Sequence, residues 1–461
     1  MGIFSKLTKS MTAMVLVTIL SGIGFYGLFI EEANAASMIN VKTYGAKGDG
    51  KTDDTSSIKK ALAEGAAKKT TVYFPKGTYL VNPKDPLAVS SNVKVLGDGA
   101  TSIIKASTKD FGWELMRVSG KDIEISNISL DGNKLVNRVL VVSGGSERVN
   151  VNKSIVANAS HSTKTSSDYF SGVLSGILVY GNTKAITIDS NEVKNIVAIN
   201  PTGGSMIARG IYVTTTWGKS EAAAANVSIT NNYIHHIGPA DDGDGIYYED
   251  PNMDSGKGID TNSIISNNKF DNNAKRAIKI YAQGLTVTGN QILNSYLQNN
   301  YYASGSDKGS IAPDMYSAIS VYGSNNTIKS NTISGIGSFY AAIEVGAVET
   351  VNNIVVSNNK ITMGPKSVQK GKTAIRLGNI NKFTIDGNVI ENGDKGIWTW
   401  QNADNGSITN NKIKMTSGGG IDLTTYLAQF SQKNIVCSNN TIQATQFIVK
   451  LASSNFNVQV L

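Results

Sequence analysis

From about residue 120 onward the chain is written in short runs where apolar, often β-branched residues alternate with polar ones. That period of two turns one face of a short strand inward. Each run closes on one or two asparagines and is followed by another short apolar pair. The pattern appears as Ile186-Thr187-Ile188-Asp189-Ser190-Asn191, Val227-Ser228-Ile229-Thr230-Asn231-Asn232 and Ile264-Ile265-Ser266-Asn267-Asn268, and returns at Asn290, Asn331, Asn359, Asn388, Asn411 and Asn440. Successive terminal asparagines are 41, 36, 22, 41, 28, 29, 23 and 29 residues apart. The shortest intervals approximate one bare coil and the longer ones are coils carrying loops, which is how a solenoid looks in sequence. Asn tolerates the left-handed conformation that a sharp bend demands, and stacked Asn side chains can hydrogen-bond along a column. The Leu-x-x-Leu-x-Leu spacing of a leucine-rich horseshoe is absent.

The segment Val41 to Asp54 (VKTYGAKGDGKTDD) leads into a predicted helix over Thr55 to Ala67, then into VYFPKGTYLV (72–81) and VKVLGDG (93–99). This resembles the entry segment of the pectate-lyase-like superfamily of right-handed parallel β-helices, where a helix covers the open N-terminal end. An uncovered solenoid end would expose unpaired strand edges, so a cap is physically required. Asp53 and Asp54 are expected to cap that helix rather than to do chemistry. The resemblance implies an all-β, single-domain right-handed parallel β-helix over residues 36–461, with 36–105 forming the N-terminal cap and entry coils.

A second strand in each coil starts with a small residue followed by Ile: Ser175-Gly176-Ile177, Arg209-Gly210-Ile211, Asp244-Gly245-Ile246, Arg276-Ala277-Ile278, Ser317-Ala318-Ile319, and so on to Lys395-Gly396-Ile397. If Ile and the residue two later point inward, the residue between them points out. That outward column reads Leu178, Tyr212, Tyr247, Lys279, Ser320, Glu344, Arg376, Trp398. The first residue of each unit sits at the bend and forms a parallel column through Arg209, Asp244 and Arg276, with Glu249 and Tyr281 at the far ends of their strands. The longest inserts (156–174, 194–208, 235–243 and 293–316 before these strands, 214–226 and 250–263 after them) flank the same coils. Inserts gathered on one face of a repeat array mark its binding side, so the patch is expected on the floor of a groove.

Tyr, Lys, Arg and acid on consecutive coils suit β-elimination from a uronate polymer. The uronate carboxylate would meet Arg209 or Arg276 in a forked hydrogen bond, and Lys279 or Tyr247 could act as base and the other as acid. Tyr247 and Lys279 on adjacent coils with Arg276 nearby resemble the active site of β-helical alginate lyases. That resemblance implies catalytic roles for these three, with Arg209, Tyr212, Asp244, Glu249, His235, His236 and Tyr281 contacting substrate. The Asp-Pro-His-Glu signature of the superfamily's epimerases is missing. Of the polygalacturonase strands only Asp244 finds its place, which keeps open a glycosidase using Asp244 and Glu249, alongside a C5-epimerase and a non-catalytic glycan-binding solenoid. No cofactor is required by this chemistry. Asp241, Asp242 and Asp244 form an acidic group able to take Ca²⁺, a hard cation that prefers such oxygens.

Composition adds the setting. Forty-three Lys and Arg against 35 Asp and Glu leave a formal charge of +8, which favours an anionic partner; with the groove chemistry, the expected partner is an acidic polysaccharide and not nucleic acid, bound by a monomer. Lys6 and Lys9, the apolar stretch from Met11 to Ile30 and the motif Ala33-Asn34-Ala35 read as an export signal spanning 1–35. A secreted protein with no membrane association after cleavage is therefore expected. Cys437, the single cysteine, cannot form an internal disulfide and reads as a small core residue.

Overall fold

A computed structural model describes residues 38–108, 110–199, 207–238, 242–293, 317–334, 341–363, 373–416, 418–450 and 456–461. The apolar N-terminal stretch, the Ala33–Ala35 motif and Asp241 lie outside the described residues. Each coil lays one strand in each of three parallel sheets, A, B and C, and the sheets hold 15, 14 and 13 strands among the described residues. One coil runs Lys184–Asp189 in sheet A, Glu192–Val197 in sheet B and Ile207–Val213 in sheet C before sheet A resumes at Ala225–Thr230. Within each sheet every strand pairs with the corresponding strands of the coils before and after it. The pairing continues unbroken from Gln291–Leu293 to Thr332–Ser334, so a single solenoid extends along the chain.

The asparagines that mark the repeat build its spine at the bend between sheets A and B. Asn191, Asn232, Asn268, Asn290, Asn331, Asn359, Asn388, Asn411 and Asn440 bond in sequence, each side-chain amide donating to the Oδ1 of the next at 2.9–3.0 Å. Each Nδ2 also donates to a backbone carbonyl of the coil before, as Asn331 does to Val287 at 3.1 Å. The backbone N–H of each residue in turn reaches the next Oδ1, as Asn290 does to Asn331 at 3.0 Å. The left-handed bend itself falls to the preceding residue: Ser190, Asn231, Asn267, Gly289, Ser330, Asn358, Gly387, Asn410 and Asn439 all have φ between 55° and 68°. The sequence reading gave both duties to Asn; the structure divides them, because a side chain buried in the ladder has to leave an ordinary bend geometry to its neighbour.

At the N-terminus the helix α1 (Thr55–Lys68) buries Ile58, Ala61, Leu62 and Gly65 against the first strands. Gly65 is required there, since a Cβ would stand 2.4 Å from Val72 Cγ2. The expected cap needs correction. Asp54 holds the N-cap position without a capping bond, and its carboxylate instead accepts from the backbone N–H of Lys47 and Gly48 at 2.7 and 3.0 Å. Asp53 supplies the local bond, accepting from Thr55 N at 3.0 Å. The reason is packing: Asp54 is buried beneath the loop it ties down, and the exposed Asp53 alone faces the helix start. Cys437 is fully buried in sheet A, and burial pushes its thiol up to about 12, which makes it a core residue.

Replacing Asn331 by Ala takes the acceptor from two buried N–H groups of Asn290, backbone and side chain, and a donor from Val287 O and Asn359 Oδ1. The expected loss is about 3 kcal/mol of folding stability, read as a lower denaturant midpoint, while Lys360→Ala on the exposed surface changes it by less than about 0.5 kcal/mol.

Candidate active site

Sheet C carries the polar column. Its inward positions Ile177, Ile211, Ile246, Ile278, Ile319 and Ile343 are fully buried. Its outward positions pair in the order the sequence predicts: Leu178 with Tyr212, Tyr212 with Tyr247, Tyr247 with Lys279, Lys279 with Ser320. The small residue before each Ile makes this possible. A Cβ at Gly245 would lie 2.7 Å from both Ala277 O and a Phe270 ring carbon, so the residue faces the crowded interior. Two consecutive inward positions break strict alternation. Arg209 and Tyr212, three residues apart, therefore emerge on the same side.

The result is a compact cluster. The rings of Tyr212 and Tyr247 stack at 5.4 Å with planes 10° apart. The Arg209 guanidinium lies over both, 4.0 and 4.3 Å from their centroids, and Lys279 Nζ lies 4.5 Å from that of Tyr247. Glu249 collects the hydroxyls: Tyr212 donates to it at 2.5 Å, Thr214 at 2.6 Å and Tyr247 at 3.0 Å. Burial, reinforced by Glu249, raises the Tyr212 hydroxyl well above the usual phenol range, so it stays a proton donor to that carboxylate. Thr214 was missed by the sequence reading, because it follows the repeat unit and shares no column with the others.

Other expected members stand elsewhere. Asp244 and Arg276 are both fully buried and ion-paired at 3.3 Å, with Arg276 Nε donating to Ser320 at 3.1 Å. Neither presents its group at the surface. The two side chains meet because their units stand on neighbouring rungs, with Asp244 and Arg276 each at the head of its unit. His235 and His236 are not on a groove loop. They belong to the sheet B strand Tyr233–Gly238, where His235 faces Glu192 at 3.0 Å and stacks on Tyr233 at 4.1 Å. The run Tyr233-Ile234-His235 alternates like any other strand of the repeat, and Asn231-Asn232 before it is the ladder signal that locates this strand. Tyr281 pairs in register with Glu249, donates to Asp254, and is pushed up to about 12 chiefly by burial. Of the expected Ca²⁺ group, Asp244 turns to Arg276. Asp241 and the side chain of Asp242 lie outside the described residues. Among the described residues no three His, Cys, Asp or Glu side chains gather as metal ligands.

Farther along sheet C the outward column continues as neutralised pairs. Arg376 bridges Glu344, and Lys395 meets Asp422 at 2.8 Å while lying 3.6 Å from the Trp398 ring centroid. The charged cluster around Tyr247 thus sits in the middle of the face.

Fold and site together define a right-handed parallel β-helix with a polar cluster on one outer sheet. The chain belongs to the family described as rhamnogalacturonase A/epimerase, pectate lyase-like, whose model matches residues 38–301, and a right handed beta helix region follows over 317–460. It is 39% identical over 111 residues to alginate lyase 7 of Azotobacter vinelandii, covering 21% of this chain and 13% of that protein. It is 36% identical over 104 residues to polygalacturonase ADPG1 of Arabidopsis thaliana, covering 21% of this chain and 23% of that protein. The chain thus matches less than a quarter of the length of either relative. The A-module of mannuronan C-5 epimerase AlgE4 from Azotobacter vinelandii shares the fold, with a TM-score of 0.54 and 17% identity over 91% of this chain and 99% of that one. These relatives are polysaccharide-modifying proteins by name.

Two outcomes follow for stability. Asp244→Asn removes the negative partner of a buried guanidinium and should cost about 3 kcal/mol or more, seen in chemical denaturation; an unchanged midpoint would show that Asp244 is not structural. Burial also holds His161 and His235 below their ordinary value of 6.5. A depressed folded-state value leaves stability intact above about pH 6.5 and lowers it as pH falls through the folded values, because the unfolded chain takes up those protons first. Urea midpoints compared near neutrality and in mild acid should show this decline, and His161→Gln should flatten it.

Proposed function

We propose that this protein is a secreted polysaccharide lyase that cleaves an acidic, uronate-containing polysaccharide by β-elimination, alginate being favoured and a pectate-like polymer next. The observation that carries the reading is the placement of Tyr247 and Lys279 side by side on neighbouring rungs, with Glu249 accepting the Tyr247 hydroxyl at 3.0 Å. The similarity to a protein named as an alginate lyase supports it.

In this mechanism the Tyr247 oxygen takes the C5 proton while its own proton passes to Glu249, whose other oxygen is held by Tyr212 and Thr214. Electrons from the C5–H bond form the C4–C5 double bond, and the C4–O glycosidic bond breaks. Lys279 gives a proton to the departing oxygen. Arg209 and Lys279 against the Tyr247 ring supply positive charge where negative charge develops, which is how preorganised electrostatics lower a barrier. Arg209 is also the guanidinium at this cluster suited to the uronate carboxylate, a role that Arg276 cannot fill from its buried pair. The glycosidase reading loses an acid, since Asp244 is buried against Arg276.

The test incubates purified protein with alginate, pectate and hyaluronan, with and without chelator. Lyase action yields chain ends that absorb in the far ultraviolet. Reducing ends without that absorbance would mean hydrolysis, an altered C5 configuration without new ends would mean epimerisation, and binding alone would mean a non-catalytic solenoid. Lys279→Ala and Tyr247→Phe should each lower turnover by roughly 10²–10⁴-fold, the usual contribution of a positioned acid or base. Full activity in Lys279→Ala would sink the mechanism.

A further inference from the structure

Toward the N-terminal end of sheet C lies a pocket of about 340 Å³, whose walls include Pro83, Trp113, Glu114, Arg117, Arg138 and Tyr169. Its volume falls at the lower end of the roughly 300–1,000 Å³ typical of small-ligand pockets. We infer that this pocket is a separate binding site for one uronate residue of an acidic glycan, held by stacking on Trp113 and by a forked hydrogen bond from Arg138. The inference rests on the acidic-glycan part of the proposed function and not on elimination chemistry.

Three observations carry it. Trp113 is 39% exposed on the strand Gly112–Val118, an unusual exposure for so large an apolar ring. It is held in place, edge-on to Tyr169 at 4.9 Å, and Tyr169 stacks on Phe111 at 5.4 Å. A fixed aromatic ring open to solvent offers a platform for the apolar face of a sugar. The charges beside it are unevenly matched. Arg117 is committed, binding both oxygens of Glu114 at 2.5 Å and Ser143 at 3.2 Å. Arg138 lies 5.5 Å from the Trp113 ring centroid, its Nε has no hydrogen-bond partner, and no carboxylate pairs with it among the described residues. A guanidinium with donors to spare beside an aromatic platform selects a planar anion, and a hexuronate supplies both that anion and a sugar ring.

Register separates this pocket from the central cluster. Arg138 pairs with Ser175, and Ser175 pairs with Arg209, which puts the two arginines two rungs apart, about 10 Å at the usual strand spacing. Between the sites the outward column is apolar, Val141 and then Leu178, so the polar cluster around Tyr247 does not run on into the pocket. The repeat pattern does not flag it, because Arg138-Val139-Leu140 lacks the small-residue-then-Ile signal that marks the later strands.

The experiment is calorimetric titration of the full-length Lys279→Ala protein, which should not consume its ligand, with tetramannuronate, tetragalacturonate and neutral cellotetraose. The expected result is an anionic oligosaccharide binding at a site that Trp113→Ala or Arg138→Gln weakens by at least about tenfold, the loss expected for a charged hydrogen-bonded contact, with Arg138→Lys between them and cellotetraose not bound there. Arg138→Gln changes charge with little change of packing, and its circular dichroism should match the parent, so a folding defect in Trp113→Ala leaves the test standing. Unchanged binding in both variants, or equal binding of cellotetraose, overturns the inference. If wild-type protein forms no unsaturated ends yet the Trp113-dependent binding persists, the elimination mechanism fails and this site stands.

Discussion

The hydrogen bond from one buried asparagine amide to the next fixes everything else in this molecule. An amide buried in the solenoid must satisfy two donors and an acceptor without water. It does so only when the adjacent coil places its own asparagine at the same height, as the column from Asn191 to Asn440 does. That requirement sets the register of each coil against the next whatever the length of loop between them. Intervals from 22 to 41 residues close on the same bond. The loops are free to vary because the spine is not.

Once register is fixed, sheet C becomes a ruled surface on which side chains distant in sequence meet at strand spacing. Tyr212, Tyr247 and Lys279 owe their contact to this alone. The small residue ahead of each Ile adds a second constraint. By facing the crowded interior it lets the residue before it share a face with the residue two after it, which brings Arg209 over the tyrosine rings. Glu249, at the end of its strand, then serves as common acceptor for hydroxyls from two coils. The cluster is rigid because its backbone is a strand ladder and its hydroxyls have one place to donate. Such preorganisation is what proton transfer requires.

The same face also shows how a solenoid handles charges it does not use. Asp244 with Arg276, Glu344 with Arg376 and Lys395 with Asp422 are closed pairs between neighbouring coils. Buried pairs of this kind add little net stability but are costly to break. Other basic side chains of the face lie against aromatic rings. Lys279 lies against an aromatic face, and Arg138 stands beside a solvent-facing ring.

The sequence by itself determined the coil. Its period-two runs, its asparagine intervals and its Ile columns are local patterns, and they showed the solenoid and the order of the outward column, because a repeat repeats its register; the entry segment and its family resemblance added the capping helix. It did not determine which groups each polar residue would meet. Arg276 and Arg209 occupy equivalent heads of their units, yet Arg276 is closed into a pair with Asp244 while Arg209 lies over two tyrosine rings. His235 and His236 read as loop residues and proved to be part of a sheet B strand. Asp54 read as a helix cap and proved to tie down a loop. In each case the deciding quantity was which groups the neighbouring coils and loops brought over that side chain. That is a property of three-dimensional packing, with no local signature in the chain.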